Sequence, residues 1–246
     1  MTMQNYVVMI PARYQSSRLP GKPLIQLAGV PMIVRTWRQC TKAVPPSLVY
    51  VVTDDDRIRE VCEAQGIQVL MTSGTCLTGT DRLAEAARQI AARVYINVQG
   101  DEPVFNPADL ETMIAACQQN PQAVLNGVCP ISSELQYRSR SIPKVVMRPD
   151  GRLMYMSRAP IPANKSDRFV QAWRQVCVYG FPQMALQAFA AHPGKMPLEE
   201  IEDIEILRFV EMGWDVQMVA MSDCSIAVDT EDDIAVAEAA IVARGL

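Results

Sequence analysis

Two aspartates each close an apolar run. Asp101 follows the run at 94–98 in VYINVQGDEP, and Asp229 ends SIAVD at 225–229. Ligands of open parallel sheets bind beyond the carboxyl ends of the strands. A third run, YVVMI at 6–10, delivers PARYQSSRLPGKP at 11–23, a loop carrying Arg13, Ser16, Arg18 and Lys22. Two carboxylates facing such a loop suit metal-assisted chemistry on phosphate. Mg²⁺ takes carboxylates, waters and phosphate oxygens, while cations and backbone N–H groups hold the remaining charge. Each piece alone has a plainer reading. The loop could be solvated basic surface, and Asp101 with Glu102 could be turn or helix-start acids. Asp232 and Asp233 are explained by the first turn of a closing helix, which leaves Asp229 as the ligand of that group. Gly21-Lys22 is not a Walker loop, because the upstream glycine is missing and Pro23 replaces the hydroxyl.

TGTDR at 78–82 is a fourth feature. Gly79 permits close backbone approach, Thr80 reads as a helix N-cap, and Arg82 either reaches a ligand or pairs with Glu85. Composition excludes several alternatives. A net charge of −4 argues against general nucleic-acid binding. His192 is the sole histidine, so no Ser-His-Asp triad forms near these motifs and no Cys/His cluster binds zinc. Seven cysteines, odd in number and without a C-x-x-C pair, read as free thiols in a reducing cytosol. The N-terminus runs straight into a strand, which reads as lacking a signal peptide. No apolar run approaches the ~20 residues of a membrane span.

The elements that must position these groups alternate. Strand-like runs at 6–10, 48–54, 67–72, 94–99 and 123–131 are separated by helical patterns at 30–42, 56–65, 80–92 and 106–120. Asn106 and Pro107 read as N-cap and first helical residue of the last of these. Such alternation predicts an α/β fold with a mostly parallel sheet, buried on both faces by helices. The pattern then changes. A hairpin is expected around Pro149-Asp150-Gly151, a strand at 174–181, helices at 182–191 and 199–212, strands at 215–221 and 225–229, and a helix at 230–244. The expectation is a single domain over 1–246 with an inserted mixed α/β lobe at about 132–198.

Taken together, P-A-R-Y-x-S-x-R-L-P-G-K-P, V-x-T-D-D-x-R-I, G-T-D-R-L-A-E, N-V-Q-G-D-E-P, S-R-A-P-I-P and V-D-T-x-D-D span almost the whole chain in order. They resemble the 3-deoxy-manno-octulosonate (Kdo) cytidylyltransferases. The resemblance implies a Rossmann-like nucleotidyltransferase fold and transfer of CMP from CTP to the anomeric hydroxyl of a 3-deoxy-2-ulosonic acid. It implies that Arg13, Ser16, Arg18 and Lys22 hold the CTP phosphates, Lys22 also acting in catalysis. Gly79, Thr80 and Arg82 would lie near the cytidine, and Asp101 and Asp229 would hold Mg²⁺. Gln99, Arg158, Gln175, Tyr179, Glu202 and Glu205 fall to the sugar side, Arg158 near the sugar-acid carboxylate and Glu199 in the same helix as the glutamates. A cytoplasmic homodimer is implied, paired through the inserted lobe. The chain departs from the family around the sugar. Cys76-Leu77-Thr78 replaces His-x-Ser, Arg174-Gln175 replaces Arg-His, and Ile204-Glu205-Ile206-Leu207-Arg208 lacks a glutamine. Lost hydrogen-bonding groups change specificity strongly. The expected acceptor is therefore Kdo, an 8-modified Kdo or a nine-carbon nonulosonic acid. Rival readings are transfer to a sugar or polyol phosphate, and a nucleotide-binding module without turnover.

Overall fold

The computed structural model describes residues 3–16, 19–192 and 194–246. The chain opens with β1 (Gln4–Ala12), whose four central residues Val7, Val8, Met9 and Ile10 are fully buried. A two-residue hairpin, β2 (Gln26–Leu27) and β3 (Val30–Pro31), leads into α1 (Met32–Ala43). Then come β4 (Val49–Thr53), α2 (Asp56–Ala64), β5 (Gln68–Met71), α3 (Gly79–Ala86), β6 (Ala92–Val98) and α4 (Pro107–Gln119). The second half holds β7 (Val124–Pro130), α5 (Glu134–Arg138), β8 (Lys144–Met147), β9 (Leu153–Ser157), β10 (Trp173–Pro182) and α6 (Gln183–Ala191). It closes with α7 (Pro197–Glu202), α8 (Ile206–Glu211), β11 (Val216–Ala220) and α9 (Glu231–Arg244).

The main sheet runs β11-β7-β10-β6-β1-β4-β5. β5, β4, β1 and β6 are parallel neighbours, and β11 is parallel to β7. Only β10, between β6 and β7, runs against both. Apolar side chains fill both faces. Val7, Met9 and Tyr95 pack with Leu83, Phe189 and Phe209 of α3, α6 and α8 on one side. Val8, Ile10 and Ile96 pack with Ile33, Ile58 and Leu110 of α1, α2 and α4 on the other. The mostly parallel α/β architecture expected from alternation is therefore present. Residues 132–172 leave the main path, with β8 and β9 hanging from β10, whereas 173–182 return to the sheet's centre.

Three local expectations need correction. SIAVD at 225–229 forms no strand. Its apolar residues instead close a small cluster, Val228 and Ile226 packing with Leu19, Leu27 and Met32 beyond the sheet's edge. The helix expected over 80–92 stops at Ala86. Tyr95 donates its hydroxyl to the carbonyl of Ile90 at 2.8 Å and accepts from the N–H of Ala92, which ties the turn to β6 instead. The helix expected over 199–212 is two helices, because Asp203 takes a left-handed φ of 52° and closes α7.

All seven cysteines are free thiols. Burial pushes Cys62 and Cys117 up to about 12, and burial plus the bond to Glu85 pushes Cys76 up to about 11. The thiolate is the reactive form, so at pH 7.5 Cys76 carries roughly 300-fold less of it than an ordinary thiol. Exposed Cys224 should take one equivalent of iodoacetamide quickly, and peptide mapping should find Cys76 unmodified. Comparable labelling of Cys76 would show that its loop opens to solvent.

Candidate active site

The parallel register brings the carboxyl ends of β1, β4 and β6 side by side. Ala12 pairs with Thr53, and Met9 pairs with Asn97. The segments that follow β1 and β6, with the start of α3 and the residues just before it, wall a cleft of about 270 Å³. Gly100 lets two of them meet: a Cβ there would lie 2.7 Å from the carbonyl oxygen of Pro11. Any side chain would therefore push the β6 loop off the basic loop.

After β1 the chain folds back on itself, the N–H of Gly21 donating to the carbonyl of Tyr14 at 3.0 Å. Gly21 adopts a φ of 68°, a left-handed conformation glycine takes without cost, and starts a short 3₁₀ turn over Lys22–Leu24. That turn aims the Lys22 ammonium at two carboxylates. Its Nζ lies 2.6 Å from Asp101 Oδ2 and 2.9 Å from Asp229 Oδ1. Burial works to lower the Lys22 pKa, but the two carboxylates outweigh it and hold it above its ordinary value. Asp229 reaches this point because the N–H of Val228 donates to the carbonyl of Asp101 at 3.0 Å. Asp233 fixes the other side, its carboxylate accepting from the N–H of Asp229 at 3.0 Å within the capping box of α9.

The Asp101–Glu102 ambiguity resolves by direction. Asp101 lines the cleft, while Glu102 turns inward, is buried and accepts a hydrogen bond from Ser225. Burial, then the neighbouring Asp101 charge, pushes Glu102 up to about 8. Two oxygens converging on one cation position suit a hard divalent ion. Among the described residues no group of three or more His, Cys, Asp or Glu forms such a site. Two carboxylates completed by substrate phosphates and water is how Mg²⁺ is held in phosphoryl-transfer enzymes.

The opposite wall is the start of α3. Its N-cap is Thr78, not Thr80: the Thr78 hydroxyl accepts from the N–H of Asp81, and Asp81 returns the bond. Thr80 is used differently. Its hydroxyl donates to Glu205 at 2.5 Å, and the Glu205 carboxylate also accepts from the N–H groups of Thr80 and Gly79 at 2.8 and 3.1 Å. Burial nonetheless leaves the Glu205 pKa raised, these bonds only partly opposing it. Arg82 pairs with Asp54 at 3.1 Å and donates to Thr72 at 2.6 Å, rather than pairing with Glu85. Glu85 accepts instead from the N–H of Ser73.

The structure thus brings Arg13, Ser16, Lys22, Asp101 and Asp229 to one cleft, with Gly79, Arg82, Gln99 and Glu205 facing them. Arg18 lies outside the described residues. Four sugar-side residues named from sequence are not on the cleft lining. Gln175 and Tyr179 are buried and bonded to each other at 3.2 Å, Gln175 also donating to Asn126. Glu202 accepts from Tyr155, Ser157 and the N–H of Arg158. Arg158 donates to the carbonyls of Glu202, Asp203 and Arg140 at 2.6, 2.9 and 3.1 Å.

The cytidylyltransferase family model matches residues 7–219, from within β1 to within β11. A 3-deoxy-manno-octulosonate cytidylyltransferase of Chlorobium luteolum is 39% identical over 94% of both chains. One of Escherichia coli is 34% identical over 93% of this chain and 92% of its own. The chain belongs to the 3-deoxy-manno-octulosonate cytidylyltransferase family. A solved structure of CMP:2-keto-3-deoxy-manno-octonic acid synthetase complexed with CTP superposes with a TM-score of 0.90 at 33% identity, covering 99% of this chain and all of that one. A cytidylyltransferase of Leptospira borgpetersenii, 16% identical with a TM-score of 0.67, shares the fold.

Against that family, the cleft holds residues that sequence reasoning missed. Lys195 and Asp203 line it, beside Cys76 and Leu77, which the sequence marks as departures. Lys195 and Asp203 sit eight residues apart around α7, a spacing with no pattern to mark them. The signal for Asp203 was the acidic run EEIEDIE at 199–205, whose charges read mostly as helix-start acids with one or two facing the site; Lys195 had none.

Proposed function

We propose that this cytidylyltransferase transfers CMP from CTP to the anomeric hydroxyl of a 3-deoxy-2-ulosonic acid, releasing pyrophosphate, with Mg²⁺ as its metal. The observation that carries the reading is the convergence of Asp101 and Asp229 on one cation position beside the basic loop. The attacking hydroxyl oxygen forms the new bond to the α-phosphorus, the bond to the β-bridging oxygen breaks, and the hydroxyl proton leaves to solvent. Asp101 and Asp229 would hold Mg²⁺ in place of the Lys22 ammonium, which would then be released to the phosphates; the metal would neutralise charge on the phosphate oxygens and favour ionisation of the attacking hydroxyl. Lys22, Arg13 and Ser16 supply fixed donors to the phosphates, and Arg18 belongs to the same loop. Such donors act most strongly where charge develops in the transition state. Gly79 and Thr80, tied down by Glu205, offer a rigid backbone to the cytidine, and Arg82 stands behind them. Gln99 lies between base and sugar. Gln175, Tyr179, Glu202 and Arg158 support the sugar side from behind the cleft wall.

The acceptor is Kdo, an 8-modified Kdo or a nonulosonic acid. The altered choices are favoured by Cys76 and Leu77 on the cleft wall and by Gln175 in a hydrogen-bonded position where the family carries histidine. The protein works as a cytoplasmic homodimer, with residues of the 132–198 region as the pairing surface. No helix among the described residues is long and apolar enough to cross a membrane.

The test is pyrophosphate release from CTP and Mg²⁺ with Kdo, 8-amino-Kdo and nonulosonic acids offered separately. Release with one of them is expected, and the acceptor of highest kcat/KM names the substrate. No release with any, from folded protein that still binds CTP, would favour a binding module. Release with a sugar phosphate alone would favour the other nucleotidyltransferase class.

A further inference from the structure

A sugar acid brings a carboxylate into a cleft already crowded with carboxylates, so a cation must meet it. Lys22 and Arg13 belong to the loop given to the phosphates, Lys22 being held between Asp101 and Asp229, and Arg82 is held by Asp54. Arg158, the arginine expected at that carboxylate, spends its guanidinium on three main-chain carbonyls and fastens α7 to the loop before β8. Freeing it would leave those carbonyls unpaired, which opposes any swing into the cleft.

Lys195 is placed differently. It enters from the segment before α7 and lines the cleft together with Glu205. Its Nζ lies 3.0 Å from Asp203 Oδ1. Asp203 also lines the cleft, in the left-handed conformation that ends α7, with its side chain 74% exposed while that of Lys195 is 21% exposed. An ion pair with one partner so well solvated contributes little, so exchanging its carboxylate for another costs little. The Asp203 main chain stays fixed meanwhile, its N–H on Glu199 and its carbonyl on Arg158. Only the side chain has to turn away, leaving Lys195 and also Arg158, whose Nη2 lies 3.9 Å from Asp203 Oδ2.

We propose that Lys195 binds the carboxylate of the sugar acid, and that Asp203 holds the Lys195 ammonium in position until the acceptor's carboxylate replaces it. This rests on the transferase reading above. It assigns to Lys195 the discrimination of ulosonic acids from neutral sugars, and to Asp203 a positioning role. Both residues come from the α7 region rather than from the phosphate loop, although Arg13 of that loop also acts on the Asp203 charge.

The test uses the full chain, CTP, Mg²⁺ and the acceptor that the wild type prefers, together with that acceptor's C1 carboxamide. In the wild type the carboxamide should raise the acceptor KM about 10–100-fold, the range of a charge-assisted hydrogen bond. Lys195→Met should raise the KM of the natural acceptor by a similar factor, leave the CTP KM within about twofold, and no longer distinguish carboxylate from carboxamide. Lys195→Arg should recover most of the loss. Asp203→Asn removes the competing carboxylate and should lower the acceptor KM severalfold; an unchanged KM would overturn its role as placeholder. Lys195→Met with an acceptor KM within threefold of wild type, or with the full carboxamide penalty intact, would overturn the assignment. A large rise in acceptor KM for Asp203→Asn would make Asp203 the ligand and overturn its role as placeholder. Absence of wild-type turnover with every acceptor would instead bring down the transferase reading, and this inference with it.

Discussion

Asp101→Asn should lower kcat on the order of 10³-fold while the protein stays folded. The size follows from what the side chain does. Asparagine keeps the shape and one oxygen but removes the charge that, with Asp229, makes the cation position. Loss of one fixed charge or donor aimed at a reacting phosphate typically costs 10²–10³ in rate. The added loss of metal affinity moves the effect to the upper end of that range, equivalent to about 4 kcal/mol of transition-state stabilisation. Stability should hardly change. The Asp101 side chain is 30% exposed, and Lys22 keeps Asp229 as a partner at 2.9 Å. The two effects are separated by measuring steady-state kinetics beside thermal unfolding. A calorimetric titration with Mn²⁺ should show weaker binding in the variant. Turnover within tenfold of wild type would remove Asp101 from the chemistry. A fall in activity matched by a fall in Tm would reduce its role to structure.

That such a prediction could be framed from sequence reflects how parallel sheets work. A strand buried on both faces announces itself as an apolar run, and the first polar residues after it must lie at the sheet's carboxyl edge. Lys22, Asp101 and the TGTDR segment were legible for that reason. Asp229 was reached by the right rule for the wrong cause. Its run at 225–229 is apolar because Ile226 and Val228 fill a cluster with Leu27 and Met32, not because it joins the sheet. Thr78 and Thr80 could not be told apart, since both stand at the start of the same helix; the reciprocal bonds with Asp81 make Thr78 the cap, while Glu205 takes the Thr80 hydroxyl. Arg158 was illegible in another way. Its motif marks a conspicuous residue, but the direction of its guanidinium depends on where α7 ends, which Asp203 sets through its backbone conformation. Arg82 found Asp54, 28 positions upstream, rather than the glutamate three residues on, because β4 ends beneath α3. Contacts between elements far apart in sequence are where pattern reading stopped.

Arg208→Met should destabilise the fold by about 3–5 kcal/mol, the typical result of removing one member of a buried ion pair. Arg208 is fully buried, and so is Glu199. The guanidinium donates to both oxygens of Glu199 at 2.5 and 2.7 Å, to Asp81 at 2.9 Å, and stacks 3.7 Å from the centre of the Phe189 ring. Burial works to lower the Arg208 pKa, but the two carboxylates outweigh it. Methionine fills much of the same space, so the cost comes chiefly from leaving Glu199 charged and unpaired in the interior, with half of the Asp81 capping arrangement loosened. For a chain of this size, 3–5 kcal/mol is a fall in Tm of roughly 10 °C. The double variant Arg208→Met with Glu199→Met removes the stranded charge and should recover a large part of the loss, because well-packed apolar groups can replace a buried ion pair nearly without penalty. Both variants should also raise the CTP KM, since Asp81 holds Thr78 at the start of α3, where Gly79 faces the cleft. Recovery of Tm without recovery of KM would show that Arg208 positions the cleft wall as well as stabilising the fold. A double variant no more stable than the single one would mean that packing, rather than the stranded carboxylate, sets the cost.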